Sequence, residues 1–328
     1  MKIYKAIGIM SGTSLDGLDL AYCLFIFDKS WSVTIEDAMT VPYPEEWKKS
    51  LECLPETSAP QLAKTHVDYG HFIGQQVNIF INKLGIKPEF IASHGHTIFH
   101  QPQKGFTTQI GDGNAIASET ELPVVFDFRS LDVALGGQGA PLVPIGDRLL
   151  FGEYDYCLNL GGIANISFEQ DGQRIAYDIC PANMILNYLS EKTGYPFDEG
   201  GKLAASGNED EGLKIKLDKL DYYKISGVKT LGREWFVKFM LPFFENSQQS
   251  LNNKLRTAVE HIAHQISFQL NQNYGKKMLI TGGGAHNTFL ISRIKEMTDA
   301  EVVIPDRTMV DYKEAMIFAF LGVLRIRN

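Results

Sequence analysis

Long hydrophobic runs, paired cysteines and an excess of positive charge are all missing from this sequence. No stretch of about 18 apolar residues occurs, which excludes a transmembrane helix. The amino terminus lacks the form of a signal peptide, because its short apolar run leads directly into Gly-Thr-Ser-Leu-Asp-Gly. The four cysteines are scattered, and three of them lie in apolar, strand-like sequence. This usage indicates buried, reduced thiols and predicts a cytoplasmic protein.

The charge balance is acidic, since 39 Asp and Glu residues outnumber 31 Lys and Arg residues and the net charge is −8. Nucleic acids and anionic membranes favour a basic partner, so neither is predicted to bind this protein. Small anions are not disfavoured, because a few local cations and N–H groups suffice to bind them. The chain has 328 residues, of which 44% are hydrophobic. This length exceeds the usual size of a single core and predicts two domains or lobes.

The stretch IGIMSGTSLDGLDLAYCLF, residues 7–25, places small hydroxyl residues, glycines and acidic residues between two strand-like runs. A plain turn is one interpretation, since Gly, Ser and Asp are turn residues. A hairpin, however, needs only about two to five loop residues. Exposed N–H groups with hydroxyls suit a phosphate, and a neighbouring carboxylate suits Mg²⁺. The stretch therefore favours a phosphate-binding loop over a plain turn.

Two further glycine turns follow predicted strands, at Gly161-Gly162 and at Gly282-Gly283-Gly284. Ligands collect where the carboxyl ends of strands meet helix starts, so the three turns together favour one nucleotide contacted from two lobes. The strand–glycine turn–strand pattern near residue 7 also recurs near residue 156, which indicates two related lobes. The sequence contains neither a G-x-x-x-x-G-K-[ST] phosphate loop nor a G-x-G-x-x-G that opens a helix.

Polar side chains at three other places are candidate functional groups. Asp178 ends an apolar strand, where a carboxylate can act as a general base, although most Asp residues are turn formers or helix caps. Arg129 can contact an anion or a sugar, or form an ion pair with a neighbouring Asp. His94, His96 and His100 are spaced as H-x-H-x₃-H. Two histidines on one strand face can bind a metal, and the alternative is a polar loop that binds substrate hydroxyls.

Nine stretches between residue 7 and about residue 321 carry a resemblance to a known family. They read GIMSGTSLDGLD, SHGHTIFHQP, QIGDGNAIA, VVFDFRSLDVALGGQGAPLVP, LNLGGIANIS, LGREWF, TAVEHIA, TGGGAHN and DYKEAMIFAFL. Several are long and rare, and their order is that of the family. With these stretches the chain resembles the anhydro-N-acetylmuramic acid kinases, which are sugar kinases of the hexokinase–Hsp70–actin superfamily.

The resemblance implies an α/β fold of two RNase H-like lobes, the actin-like ATPase or sugar kinase fold, with a cleft between them. The N-terminal lobe is expected at residues 1–127, joined by the C-terminal helix at about residues 311–328. The C-terminal lobe is expected at residues 128–310. A homodimer is also expected from the resemblance.

The activity implied by the resemblance couples two reactions on 1,6-anhydro-N-acetylmuramic acid in peptidoglycan recycling. Water opens the anhydro ring, and the released O6 accepts the γ-phosphoryl group of ATP, which gives N-acetylmuramic acid 6-phosphate. Asp178 resembles the aspartate of the family that takes a proton from this water. ATP and Mg²⁺ are therefore the expected cofactors, and Mg²⁺ neutralises phosphate charge during phosphoryl transfer.

Further residues match the motif positions that bind nucleotide, metal and sugar in the family. The nucleotide site is expected at Gly12, Thr13, Ser14, Leu15, Asp16, Gly17, Leu18, Asp19, Gly161, Gly162, Gly282, Gly283 and Gly284. Asp16 is the expected ligand of Mg²⁺. The sugar is expected to contact His94, Thr97, Arg129 and Glu314.

The sequence departs from the family pattern around the expected base. The family usually has Asp-x-Gly-Pro-Gly-Asn, whereas residues 178–183 read Asp-Ile-Cys-Pro-Ala-Asn, so two glycines carry side chains here. The family sequence His-Gly-Gln-Thr is His-Gly-His-Thr at residues 94–97. Three alternative functions stay open: a sugar kinase for another amino sugar or hexose, an inactive nucleotide-binding regulator, and a metal-dependent hydrolase built on the histidines.

Overall fold

The fold is described from a computed structural model that covers residues 1–12, 15, 17–270 and 276–327. The contacts divide the chain into two compact units. Unit 1 consists of Met1–Leu150 and Tyr312–Asn328, and unit 2 consists of Phe151–Asp311. The first division therefore falls after Leu150, whereas the lobe boundary predicted from the sequence lies between residues 127 and 128.

Unit 1 is built on a mixed sheet of six strands with the order β3-β2-β1-β4-β5, in which β6 also pairs with β4. The strands are β1 (Lys2–Ser11), β2 (Leu18–Asp28), β3 (Ser30–Val41), β4 (Phe90–Gln101), β5 (Phe106–Ile110) and β6 (Val124–Phe126). The helices are α1 (Glu45–Cys53), α2 (Ala59–Leu84), α3 (Gly113–Thr120), α4 (Ser130–Ala134) and α5 (Val143–Leu150).

Unit 2 is built on a sheet of five strands with the order β11-β10-β7-β8-β9. The strands are β7 (Tyr156–Leu160), β8 (Ile163–Gln170), β9 (Gln173–Pro181), β10 (Lys277–Thr281) and β11 (Glu301–Val303). The helices are α6 (Asn183–Glu191), α7 (Lys202–Ala205), α8 (Glu211–Asp218), α9 (Arg233–Trp235), α10 (Leu241–Asn246), α11 (Leu251–Gln269) and α12 (Thr288–Met297). The last helix, α13 (Arg307–Arg327), begins in unit 2, and its residues from Tyr312 belong to unit 1.

Short helices of other types complete the described elements. Turns of 3₁₀ helix lie at Leu54–Glu56, Pro102–Lys104, Glu199–Gly201, Asp221–Lys224 and Gly283–His286, and a π-helical turn lies at Phe236–Met240.

The two sheets share one topology. In unit 1 the antiparallel strands β1, β2 and β3 are followed by β4, which pairs in parallel with β1, and by β6, which pairs in parallel with β4. In unit 2 the strands β7, β8, β9, β10 and β11 repeat this order and these directions. The α/β class and the two RNase H-like units are therefore confirmed, and the duplication seen in the sequence is the recurrence of this topology.

Local sequence explains why the long helix of unit 1 forms where it does. The Ser58 hydroxyl accepts the backbone N–H of Gln61 at the start of α2, and Gly85 ends the helix with a φ of 64°. The buried face of α2, which includes Tyr69, Ile73 and Val77, packs in the same core as β1 and β2. The apolar residues between positions 59 and 84 recur at helical spacing in the sequence, and this spacing predicts an amphipathic helix here.

Close contacts of α13 and α5 explain the extent of unit 1. A Cβ atom at Gly8 in β1 would lie 1.9 Å from the carbonyl oxygen of Ala315, so α13 approaches the sheet at a distance that only glycine allows. The buried Lys313 ammonium of α13 lies 2.6 Å from Oδ1 of the buried Asp147 in α5. An ion pair taken out of water must stay paired, so residues 143–150 remain with unit 1.

Candidate functional site

The predicted phosphate-binding loop joins β1 to β2 at one end of the sheet of unit 1. Leu15 has a φ of 57°, and its N–H donates to the carbonyl of Gly12 over 3.3 Å. A Cβ atom at Gly17 would lie 2.6 Å from Cγ2 of Thr40, so the loop ends in a tight approach to β3. The predicted loop residues Thr13, Ser14 and Asp16, and with Asp16 the predicted Mg²⁺ ligand, lie outside the described residues.

The last two predicted residues of this loop already belong to β2. Leu18 is fully buried in the core of unit 1, so any contact of Leu18 with a ligand would use its backbone. The carboxylate of Asp19 accepts the Thr40 hydroxyl over 2.6 Å, and the Tyr312 hydroxyl lies 3.1 Å from the same Thr40 oxygen. This arrangement fixes one carboxylate near the end of the loop.

A buried chain of hydrogen-bonded polar side chains lies under the start of the loop, and no sequence pattern predicts it. The Ser11 hydroxyl at the end of β1 lies 2.8 Å from Nδ1 of His96 in β4 and accepts the Tyr43 hydroxyl over 2.7 Å. The hydroxyls of Tyr43 and Tyr69 are 2.5 Å apart. Burial lowers the pKa of His96 to about 4, so its ring is neutral at physiological pH. The chain links three elements directly beside Gly12 and restrains the point where the loop begins.

His94 and Arg129, both predicted to contact the sugar, are hydrogen-bonded to each other. The His94 ring is 3% exposed, and its Nδ1 donates to the carbonyl of Gly95 over 2.9 Å. Nε of Arg129 donates to Nε2 of His94 over 2.9 Å, and Nη1 donates to the carbonyl of Gly139 over 2.7 Å. Burial, and then the charge of Arg129, lower the pKa of His94 to about 3, so the ring is a neutral acceptor. Both ring nitrogens are therefore engaged within unit 1.

Glu314 and Thr97 complete the predicted sugar-binding residues. Burial raises the pKa of Glu314, whereas the charges of Lys313 and Arg129 lower it. Burial lowers the pKa of Arg129, whereas the negative charge of Glu314 acts in the opposite direction, so Glu314 lies within electrostatic range of the guanidinium. Thr97 stands apart: its hydroxyl accepts Nε2 of Gln109 at 3.4 Å, and no described contact joins it to the other three residues. The structure thus groups His94, Arg129 and Glu314.

The three histidines of the H-x-H-x₃-H sequence do not share one set of partners. His94 bonds Arg129, His96 bonds Ser11, and Nδ1 of His100 lies 3.1 Å from the Thr107 hydroxyl. Within the part of the chain that the structure describes, no group of three or more His, Cys, Asp or Glu side chains is placed to hold a metal ion. The histidine arrangement therefore gives the hydrolase alternative no support.

The two glycine turns of unit 2 meet at the carboxyl ends of β7 and β10. A Cβ atom at Gly284 would lie 2.7 Å from Cβ of Leu160, and one at Gly282 would lie 2.3 Å from Oδ1 of Asn159. The side chain of Asn183 at the start of α6 donates to the carbonyl of Leu160 over 3.1 Å. Three chain segments therefore converge at this end of the sheet, as the sequence predicts for a ligand site.

Some glycines of these turns could carry a Cβ atom with no more than ordinary van der Waals contact. A Cβ atom at Gly162 would meet nothing nearer than Cε of Met184 at 3.8 Å, and one at Gly283 nothing nearer than Nδ2 of Asn183 at 3.8 Å. At Gly161 the nearest atom, Nδ2 of Asn159, would be 3.5 Å away. Gly162 and Gly283 are exposed, so a ligand can approach their backbone closely. Such a surface fits the phosphates or the nucleoside of a nucleotide.

Asp178 lies near the carboxyl end of β9 and is half-buried. Its Oδ2 accepts the backbone N–H of Leu231 over 2.8 Å. Among the described residues, no hydrogen bond to Oδ1 is found. Burial raises the pKa of Asp178, and the bond from Leu231 acts in the opposite direction. A carboxylate with one held oxygen, one open oxygen and a raised pKa suits a general base.

Two residues that sequence reasoning missed bond the backbone of Asp178, Tyr222 with its side chain and Lys229 with its backbone carbonyl. The Tyr222 hydroxyl donates to the carbonyl of Asp178 over 2.6 Å, and the backbone N–H of Asp178 donates to the carbonyl of Lys229 over 3.0 Å. These residues lie in a charged, helical-looking stretch that carries no recognisable pattern. No local signal predicts such contacts, because the partners are more than 40 residues apart in the chain (44 for Tyr222).

No helix in the described ranges is both long enough and apolar enough to cross a membrane.

Comparison with known proteins places the chain in one family over nearly its whole length. The family model described as anhydro-N-acetylmuramic acid kinase matches residues 4–328. A protein of that name from Vibrio parahaemolyticus is 37% identical, with 98% of this chain and 92% of the relative covered. One from Pseudomonas fluorescens is 34% identical, with 96% and 91% covered. The bare glycine turns and the half-buried Asp178 thus belong to a chain that is a member of the anhydro-N-acetylmuramic acid kinase family.

Proposed function

We propose that this protein is an ATP-dependent kinase that opens 1,6-anhydro-N-acetylmuramic acid with water and phosphorylates O6, in peptidoglycan recycling. Membership of the family supports the substrate. The observation that carries the chemistry is the placement of Asp178, whose carboxylate lies in unit 2 with one oxygen held by Leu231 and a pKa raised by burial. A base whose pKa approaches the working pH accepts a proton more effectively in the transition state.

In this proposal Asp178 accepts a proton from the water that attacks the anomeric carbon. The new bond joins the water oxygen to C1, and the bond from C1 to O6 breaks. O6 leaves with the electron pair and attacks the terminal phosphorus of ATP, so ADP departs and N-acetylmuramic acid 6-phosphate forms. Asp178 then returns its proton to solvent. Most of the acceleration is expected from orientation and from fixed charges around the reacting atoms.

The nucleotide is assigned to the glycine turns, with the adenosine side at residues 282–284 and Gly161-Gly162 beside them. The loop at residues 12–19 is proposed to bind phosphate through its backbone N–H groups. ATP supplies the phosphoryl group, and Mg²⁺ bound with it at Asp16 would neutralise phosphate charge. The bare backbone at Gly162 and Gly283 supports the fit of the nucleotide.

The sugar is assigned to Arg129, Glu314 and Thr97, with His94 behind the guanidinium. Arg129 is fixed by two hydrogen bonds that leave Nη2 without a partner among the described contacts. A guanidinium held in this way can bind the carboxylate or hydroxyl oxygens of an acidic amino sugar. We further propose that the protein is cytoplasmic, which the buried thiols of Cys23, Cys157 and Cys180 support. We also propose that it is a homodimer, which the family resemblance supports.

The experiment that tests this function is mass spectrometry of the product formed in ¹⁸O-water. The purified protein is incubated with 1,6-anhydro-N-acetylmuramic acid, ATP and Mg²⁺. We expect a product that has gained one phosphate and one ¹⁸O at the anomeric carbon. A phosphorylated product without ¹⁸O would indicate a kinase for a free hydroxyl, and ATP binding without any product would indicate a nucleotide-binding regulator.

His94→Phe tests whether the hydrogen bond to Arg129 matters for sugar binding. Phe keeps the ring contact with Phe318, whose centroid is 4.5 Å away, but cannot accept Nε–H of Arg129. A hydrogen bond to a charged group contributes about 1.5 to 3 kcal/mol, so KM for the anhydro sugar should rise about tenfold or more. The affinity for ATP, measured by calorimetry, should stay unchanged.

The matched control is His100→Phe on the same strand. His100 is exposed and lies within electrostatic range of Arg129, but its hydrogen bond is to the Thr107 hydroxyl and not to the guanidinium. The control therefore separates the loss of a nearby histidine from the loss of the His94–Arg129 hydrogen bond, and the KM of His100→Phe should equal that of the wild type. If His94→Phe also keeps the wild-type KM, the assignment of this cluster to the sugar is wrong.

A further inference from the structure

Three backbone and side-chain atoms of Asp178 are bonded to one short stretch of chain, residues 222–231, which we call the support segment. The Tyr222 hydroxyl donates to the Asp178 carbonyl over 2.6 Å. The Asp178 N–H donates to the carbonyl of Lys229 over 3.0 Å, and the Leu231 N–H donates to Oδ2 of Asp178 over 2.8 Å. The segment therefore holds the residue at both sides of its Cα atom and at its carboxylate.

Asp178 needs this support because the strand pairing is irregular at this point. In the register of β8 with β9, Asn165 faces Asp178 but Ala164 faces Cys180, so Ile179 is the extra residue of a bulge. A bulge interrupts the ladder of hydrogen bonds and changes the direction of the side chains beside it. The position of the Asp178 carboxylate is thus not fixed by the sheet alone.

The support segment is itself fixed by a buried cation. Lys229 is 8% exposed, and its ammonium donates to the carbonyl of Ile225 over 3.1 Å and lies 3.4 Å from the carbonyl of Tyr222. The same ammonium lies 4.7 Å from the centre of the Tyr222 ring. Lys229 thereby closes the segment on itself and orients the ring that carries the hydroxyl to Asp178.

A second anchor joins the segment to helix α11. The Tyr223 hydroxyl lies 2.9 Å from Nε2 of the fully buried His261, and Nδ1 of His261 lies 2.7 Å from Oδ1 of Asp218. Nε2 of Gln265 donates to the same carboxylate oxygen over 2.9 Å. The turn of residues 221–224 is therefore held at Tyr223 by the core and presents Tyr222 to Asp178.

We propose that the support segment positions the Asp178 carboxylate for proton transfer, with Tyr222 and Lys229 as its positioning residues. This inference rests on the proposed role of Asp178 as the base. Without the Tyr222 hydroxyl the strand is free to shift at the bulge, and the carboxylate loses its alignment with Leu231 N–H. Neither Tyr222 nor Lys229 takes part in the reaction; both act through Asp178.

The test is Tyr222→Phe, assayed for kcat, KM and the pH profile of kcat/KM with 1,6-anhydro-N-acetylmuramic acid and ATP. Misplacement of a reacting group by about 1 Å can lower a rate on the order of 100-fold, and the loss of one of three restraints should lower kcat about tenfold. The Leu231 N–H favours the charged carboxylate, so weakening this bond raises the pKa of Asp178. The acid limb of the profile should therefore move to higher pH in the variant.

In the described part of the chain, the titratable groups around Asp178 include Tyr222, Tyr177, Cys180 and Lys229. Burial raises the pKa of Tyr222, Tyr177 and Cys180, which titrate above neutral pH. Burial lowers the pKa of Lys229 from that of an ordinary lysine, and the variant Lys229→Met removes this group, so an acid limb that persists in that variant does not belong to Lys229. Asn165, the residue opposite in β8, does not titrate.

Tyr177→Phe is the matched control, because Tyr177 precedes Asp178 in β9 and its hydroxyl donates to Gln269 over 2.9 Å. It removes one tyrosine hydroxyl from the same strand and should leave kcat and the acid limb unchanged. Lys229→Met is a second variant. It removes the ammonium group but keeps the three groups that bond Asp178, which are the Tyr222 hydroxyl, the backbone carbonyl of residue 229 and the Leu231 N–H. It should also move the acid limb to higher pH. Calorimetric ATP affinity shows that each variant is folded.

A fall in kcat of Tyr222→Phe without movement of the acid limb would overturn the proposal. A residue that only stabilises the fold changes the fraction of active protein and leaves the pKa of Asp178 as it is. Wild-type kinetics in both Tyr222→Phe and Lys229→Met would overturn it as well. Failure of the proposed function looks different: the wild type then forms no phosphorylated product, or Asp178→Asn keeps its turnover.

Discussion

Asp178→Asn is expected to lower turnover of the anhydro sugar about 10³-fold while ATP binds with unchanged affinity. General bases contribute about 10²- to 10⁴-fold to enzymatic rates, and an amide cannot accept the proton of the attacking water. Asn has the shape of Asp, and its oxygen can still accept the Leu231 N–H that now reaches Oδ2. The fold around residue 178 should therefore persist while the chemistry is lost.

The measurement combines a coupled ADP assay with calorimetry of ATP binding. In the wild type the acid limb of kcat/KM should lie above the pKa of an ordinary aspartate, because burial raises the pKa of Asp178. Protonation of the base removes activity, so the rate falls as the pH drops through this value. His94 does not contribute to the limb, because its pKa of about 3 keeps its ring neutral throughout the working range.

Asp171→Asn is the control for the loss of a negative charge in the same hairpin. Asp171 lies in the exposed turn between β8 and β9 with a φ of 52°, a conformation that Asn also adopts readily. Its turnover should equal that of the wild type. Near-normal turnover of Asp178→Asn beside a normal control would remove Asp178 from the role of base.

The sequence predicted those parts of the fold and site that leave a local pattern. The amphipathic spacing of residues 59–84 and the glycine turns after strands both follow from short-range rules, and the structure shows α2 and the converging turns at Gly162 and Gly284. The repeat near residue 156 predicted the second sheet because a duplicated topology needs the same alternation of strand and turn.

Contacts between distant residues were not predictable in this way. The hydrogen bond from Tyr43 to Ser11 and that from Leu231 to Asp178 join positions 32 and 53 residues apart. Their donors are a tyrosine hydroxyl and a backbone amide, and although Leu231 begins the stretch LGREWF, nothing in the sequence shows that either donor reaches Ser11 or Asp178. The buried Asp147–Lys313 pair likewise explains why the first unit extends to Leu150, and no composition change marks that boundary.

The glycines of the proposed nucleotide site illustrate the same limit. The sequence shows three in a row at residues 282–284 but cannot distinguish their tasks. Gly282 has a φ of 84°, and a Cβ there would lie 2.3 Å from Oδ1 of Asn159, so this glycine is needed for folding. Gly283 does not have a left-handed φ, and a Cβ there would make only ordinary van der Waals contact, so nothing in the fold itself requires glycine at this position.

Gly283→Val is therefore expected to fold normally and to weaken ATP binding about 100-fold. A Cβ atom at residue 283 meets no protein atom closer than Nδ2 of Asn183 at 3.8 Å, which is ordinary van der Waals contact. The valine methyl groups would occupy the space that the proposal gives to the nucleotide. A 100-fold loss in affinity corresponds to about 2.8 kcal/mol, which is the order expected when a ligand must withdraw from a backbone surface.

The measurement is the Kd for ATP by calorimetry, together with the midpoint of thermal unfolding. Gly212→Val is the control for the gain of a valine at a glycine outside the glycine turns, because Gly212 lies in α8. A Cβ there would lie 3.3 Å from Oδ1 of Asp210, the N-cap atom that accepts the Leu213 N–H, so this variant should lose some stability. Gly283→Val should unfold near the wild-type temperature, and of the two variants only Gly283→Val should lose affinity for ATP. If a folded Gly283→Val binds ATP as tightly as the wild type, the nucleotide does not lie against this turn, and the assignment of residues 282–284 to ATP fails even if Asp178 remains the base.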